Sequence, residues 1–150
     1  MAYTYYIDPE VNCIFIRQFG EFEVGEGFLS FKAIADDPLL DLSMNILRDM
    51  RDVSIPSIYH DSLEEIKRVR DQLEWATAYF ENCLNAWVVG NAADYAVAHR
   101  WSATTRLDRR ITRKPFRNMA PAREWLGIPD GYQISTGQSA ITATRRPRQA

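Results

Sequence analysis

The chain has 150 residues, 46% of them hydrophobic and 25% charged, with seven glycines and seven prolines. That balance describes one globular domain and excludes collagen-like, coiled-coil and wholly disordered chains. At this length a domain buries roughly 68–70% of its unfolded surface, enough for a core without disulfide or metal staples. The net charge of −2 conceals two opposed halves. Residues 1–98 carry seven Lys/Arg against seventeen Asp/Glu, and residues 99–150 carry eleven against three; such blocks suit an oppositely charged partner, or each other.

The first ten residues lack a cationic start before a long apolar run, no stretch approaches the ~20 residues of a membrane span, and Cys13 and Cys83 show no Cys-x-x-Cys spacing. The expectation is a cytoplasmic protein with reduced, buried thiols and no membrane span.

In chain order, Tyr3 to Ile7 and Asn12 to Phe19 predict two strands joined by the turn residues Asp8-Pro9-Glu10. Val24, Phe28, Phe31 and Ile34 recur at helical spacing. The glycines Gly25 and Gly27 ahead of them read as a flexible helix entry, because Glu21, Glu23 and Glu26 would repel a phosphate. Ser43 to Met50 predicts a strand and Arg51 to Asp61 a loop. A helix follows, opened by the capping box Ser62-Leu63-Glu64-Glu65, with Leu63, Ile66, Val69, Leu73, Ala76 and Phe80 as one core-facing stripe. Asn85 to Gly90 predicts a buried strand, Ala92 to Arg106 a helix, Ile111 to Arg117 a last strand and Pro121 to Leu126 a short helix. Strands alternating with helices imply an α/β fold, a mainly parallel, mixed sheet of about five strands with helices packed on it. The domain spans 1–132. Residues 133–150, polar and ending in Arg145-Arg146-Pro147-Arg148, read as a flexible tail.

This element order, the run from Asn45 to Val53 with its aspartate-bearing exit, Ala86-Trp87-Val88-Val89, and Phe116 with Glu124-Trp125-Leu126 together resemble the STAS and SpoIIAA-like family across roughly residues 3–128. The resemblance implies a SpoIIAA-like sheet and a role in binding, since members with assigned roles act largely as anti-sigma-factor antagonists, regulatory domains of anion transporters or lipid binders. The antagonists carry a phosphorylatable Ser after an Asp at a helix N-terminus. Asp61-Ser62 occupies the comparable place, although Leu63-Glu64-Glu65 departs from that group's small-residue run and capping alone accounts for a Ser there.

Three further constellations bear on function. Asp49 and Asp52, with Tyr59 beyond them, fall at a predicted strand exit, the edge where ligands of open α/β sheets bind; two carboxylates there could serve an enzyme, or be a solvated exit paired with Arg48 or Arg51. Arg106, Arg109, Arg110, Arg113 and Lys114 form the core of a cationic run suited to an anion, an anionic lipid or an acidic protein surface. It lacks the interleaved aromatics of a dedicated nucleic-acid binder. Trp75 and Tyr79 stand four apart off the apolar stripe, a candidate interface. Cys13, His60, Cys83 and His99 are scattered singly, so no metal or cofactor is expected. The leading expectation is a non-enzymatic regulatory or protein-interaction module that self-associates into a homo-oligomer or binds a protein. The alternatives are a binder of a small anionic or lipid-like ligand and an enzyme using Asp49 and Asp52.

Overall fold

Five strands form one mixed sheet in the order in which the chain supplies them: β1 (Ala2–Asp8), β2 (Cys13–Glu21), β3 (Asn45–Ser54), β4 (Cys83–Val89) and β5 (Ile111–Phe116). The computed structural model describes residues 2–22, 30, 32–72, 78, 80–104, 106 and 110–135. β1 and β2 are antiparallel and the rest are parallel. The hairpin turns at Asp8, whose carboxylate accepts the Glu10 N–H at 3.0 Å, and at Asn12, whose φ of 50° is left-handed backbone that asparagine tolerates.

Among the described residues the helices are α1 (Ile58–Asp61), α2 (Leu63–Gln72), α3 (Ala92–Thr104) and α4 (Met119–Trp125), and residues 32–35 are also helical. Each parallel crossover steps one strand further in the same direction. With the usual right-handed crossover, all three connections fall on one face of the sheet. The core agrees: Ile34 and Phe80, from two of the connections, pack with Tyr5, Ile14, Ile16, Ile46 and Ile111, and Ala98 of α3 packs with Met50, Val53 and Val89. Burying one such side chain is worth about 1.5–3 kcal/mol, so these rows fix the strand register.

The opposite face is covered by α4 and the chain behind it. α4 ends in a Schellman turn: the Gly127 N–H reaches the Glu124 carbonyl at 3.1 Å and the Ile128 N–H reaches that of Arg123 at 3.0 Å. The turn needs the φ of +71° that Gly127 supplies without strain. It sends Ile128, Tyr132 and Ile134 across Tyr6, Phe15 and Leu47. Ile134 and Ser135, which composition places in the tail, therefore lie against this core, with the Ser135 N–H on the Tyr6 hydroxyl at 3.0 Å and the Tyr132 hydroxyl on Asp8 at 2.6 Å.

Several boundaries differ from expectation. β3 runs to Ser54 and not Met50, because Asp52, Val53 and Ser54 continue to pair with β2 as Phe19, Gly20 and Glu21, past the end of the β3–β4 ladder at Met50. A bulge accompanies the extension: Arg17 opposes Asp49 while Phe19 opposes Asp52, one more residue on β3 than on β2. It turns Met50 and Val53 to the same face despite their odd spacing. The expected loop contains α1, and Leu63, placed in the apolar stripe, is 48% exposed at the first residue of α2 while Ile66 is buried. Leu73 and Ala76 of that stripe, and Gly25 and Gly27, lie outside the described residues.

Candidate functional site

The two carboxylates singled out from sequence are not at a strand exit. Asp49 sits inside β3 on the α4 face, and the bulge brings Asp52 to that same face. Asp49 accepts Nε and Nη2 of Arg51 at 2.9 and 2.8 Å and the Arg51 N–H at 3.2 Å. Burial raises its carboxyl, but the Arg51 hydrogen bonds and the charges of Arg51 and Arg17 outweigh it and hold Asp49 below the ordinary carboxylate value. Asp52 pairs with Nη2 of Arg17 at 2.9 Å. A general base needs a carboxylate directed at substrate; both of these are directed at arginines.

Tyr59 of α1 stands edge-on to Phe22, the ring centroids 5.4 Å apart, and burial raises its hydroxyl. Ser62 joins α1 to α2 and its Oγ accepts the Glu65 N–H at 3.2 Å, which is the capping role. Sequence reasoning gave His60 no duty. Its Nε2 lies 3.0 Å from Oδ1 of Asp94, a buried residue on α3, and its carbonyl accepts Nη2 of Arg100, so two contacts tie α1 to α3. Asp94 is set by Asn91, whose Nδ2 reaches it at 2.7 Å while Oδ1 caps its N–H at 2.8 Å.

The cationic segment is divided by the pleat of β5. Successive strand residues point to opposite faces. Lys114 carries its ammonium over the rings of Phe116 and Trp125, 5.2 and 5.7 Å from the centroids, on the α4 face. Arg113 points the other way, beneath α3. There a cleft of about 290 Å³ opens between α3 and β5, with His99, Ser102 and Arg106 on the helix side and Thr112 and Arg113 on the strand side. Among the described residues, those lining it include no carboxylate. Arg110 is exposed just before β5; Arg109, Trp75 and Tyr79 lie outside the described residues.

Behind the cleft the helix-covered face carries a polar band. In the parallel ladders Arg48 is level with Trp87, and Asn85 is level with Arg113. Gln18 joins from β2, where its Oε1 accepts Nη1 of Arg48 at 3.2 Å. Gln18, Arg48 and Asn85 are all buried. Burial, and after it the like charge of Arg113, push the Arg48 guanidinium down to about 10, so the field of Arg113 reaches across the band. Asn85 Oδ1 and the indole N–H of Trp87 are buried with no hydrogen-bond partner among the described residues. The Trp87 ring meets Trp101 of α3 at 5.8 Å. Sequence reasoning passed over this band, although one signal was present: each of Gln18, Arg48 and Asn85 interrupts a strand that is otherwise apolar on that face.

Both cysteines are buried free thiols, and burial pushes that of Cys13 up to about 12. Among the described residues no group of three His, Cys, Asp or Glu side chains is placed to hold a metal ion, and no helix is long and apolar enough to cross a membrane. No protein-family model matches the chain, and no curated protein or solved structure shows significant similarity to it.

Proposed function

We propose that the protein works by binding, and that what it binds is a small anion held between α3 and β5. The observation that carries this is the cleft lining: Arg106 just past α3 and Arg113 of β5, with His99 and Ser102 as further polar partners and no carboxylate among the described residues that line it. A volume of about 290 Å³ stands at the small end of ligand cavities, which fits a compact organic acid or phosphate better than a lipid chain. Guanidinium groups pair with both carboxylate and phosphate through two parallel N–H bonds. The pairing of Asp49 and Asp52 with arginines supports binding over carboxylate catalysis. A STAS or SpoIIAA-like relationship belongs to the same proposal, supported by the mainly parallel five-stranded sheet and by the binding roles that family implies.

The test is thermal unfolding of the whole chain with phosphate, sulfate and small carboxylates against chloride at matched ionic strength. A ligand at 100 times its Kd adds about 2.7 kcal/mol to the stability of the state that binds it. At least one anion is expected to raise Tm, and Arg113→Gln to remove the rise. An unchanged Tm with every anion would sink the proposal.

A further inference from the structure

We infer that β1 is an interaction surface, and that its partner is the β1 strand of a second copy of this chain, running antiparallel to it. The two outer strands of the sheet, β1 and β5, are built differently. The Asn45 N–H reaches the Asn12 carbonyl at 3.0 Å, so Asn12 and, by strand alternation, Ile14 and Ile16 turn their backbone groups to β3, while Cys13, Phe15 and Arg17 turn theirs to β1. Their partners on β1 are Asp8, Tyr6 and Thr4, which leaves the backbone N–H and C=O of Tyr3, Tyr5 and Ile7 directed away from β2. On β5 the Cys83 N–H reaches the Arg110 carbonyl at 3.1 Å, so Thr112 and Lys114 face β4, and Ile111, Arg113 and Pro115 face outward. Pro115 has no N–H to offer at that outward position, and Arg113 and Lys114 add charge. Those are devices that keep an edge strand from pairing with another chain.

β1 has none of them. Its seven residues include no proline, lysine or arginine, pair with β2 without a bulge, and carry charge only at Asp8. Among the described residues no strand lies beyond it. A second copy is the occupant that the strand's own sequence fits. Antiparallel overlap over the full length puts Tyr5 on the twofold axis, Tyr3 opposite Ile7 of the second copy and Thr4 opposite its Tyr6. Tyr3, Tyr5 and Ile7 belong to the helix-covered core and Tyr6 to the core beneath α4, so both cores continue across the junction. Asp8 falls opposite Ala2, so no like charges meet. Such a contact is isologous, closes at two copies and joins their sheets into one. β1 lies four strand spacings, about 19 Å, from β5, so the α3–β5 cleft stays open.

Sedimentation velocity of the intact protein at rising concentration is expected to show a dimer. Tyr3→Pro, which copies onto β1 the device of Pro115, and Tyr3→Lys, which sets a charge into the junction, should each raise the dimer dissociation constant by roughly tenfold or more. Neither touches a backbone group that pairs with β2. Amide hydrogen exchange reads the contact itself: the Ile7 N–H should exchange slowly in the wild-type dimer and fast in Tyr3→Lys. Should Tyr3→Pro lose its fold by far-UV circular dichroism, Tyr3→Lys and the wild-type exchange decide. A wild type that stays monomeric at every concentration overturns the inference. So does a dimer that Tyr3→Lys leaves as tight as before, or one in which the Ile7 N–H exchanges fast, because its contact then lies elsewhere.

Discussion

On the face of the sheet beneath α4, rings stack and charges are neutralised by their neighbours; on the face beneath α1 to α3, amide, guanidinium and indole groups run through the core. The first face holds Tyr6, Phe15 and Tyr132 in series, with centroids 4.6 and 5.5 Å apart, and beside them the pairs Asp49–Arg51 and Asp52–Arg17. The second holds Gln18, Arg48, Asn85 and Arg113, with buried polar atoms of Asn85 and Trp87 that no described residue satisfies. Buried polar groups are nearly always hydrogen-bonded, so the exceptions call for an explanation. A face whose polar groups answer one another serves stability. A face that leaves some unanswered beside a cationic cleft is where a ligand is to be sought.

Mutations can break or sharpen this contrast. The largest effect belongs to the stacked face: Phe15→Ala removes the central ring of the series and should cost about 3–5 kcal/mol in urea unfolding. Gly90→Ala comes next. A Cβ there would lie 2.6 Å from the Arg51 carbonyl oxygen, so β3 and the β4 exit must part, at about 1–3 kcal/mol.

Asp49→Asn should cost about 1 kcal/mol at pH 7, since the half-exposed Arg51 weakens the pair. The folded carboxyl titrates below its unfolded value, so its contribution is full above about pH 4 and disappears as pH falls through the folded value. Wild type and Asp49→Asn should therefore converge in stability once the pH has fallen below the folded value.

The smallest change carries the most weight. Asn85→Leu, close in shape and without the unsatisfied oxygen, is expected to leave stability unchanged or to raise it by up to about 1 kcal/mol. A loss as large as that of Phe15→Ala would erase the distinction between the faces, because it would make the polar band structural.

Most of the frame was legible in the sequence. The hairpin, β4, α3 and β5 announced themselves through β-branched and aromatic runs, through turn residues, and through an apolar run ending at Gly90. The end of β3 did not. Arg51 and Asp52 look like a loop because they are charged, and only pairing with β2 beyond the bulge, a contact between distant segments, keeps them extended. The segment at 133–135 was misread for a related reason: Ile134 and Ser135 look like linker until Tyr6 is known to lie beneath them. The site was half visible. Arg106 and Arg113 stood out as part of a cationic run, but period-two alternation separates Arg113 from Lys114, and nothing local says that Asn85 and Trp87 lie behind Arg113. Their significance comes from burial and register, which a single chain of letters does not carry.

The sequential order of the strands has a consequence for biosynthesis. Each strand's partner in space is the strand made just before it, so every new strand finds a finished edge already waiting. At about 5–20 residues per second the ribosome delivers β3, β4 and β5 seconds apart. The sheet can thus grow from one side like a row of planks laid in turn, and β5, which carries Arg113, is the plank laid last.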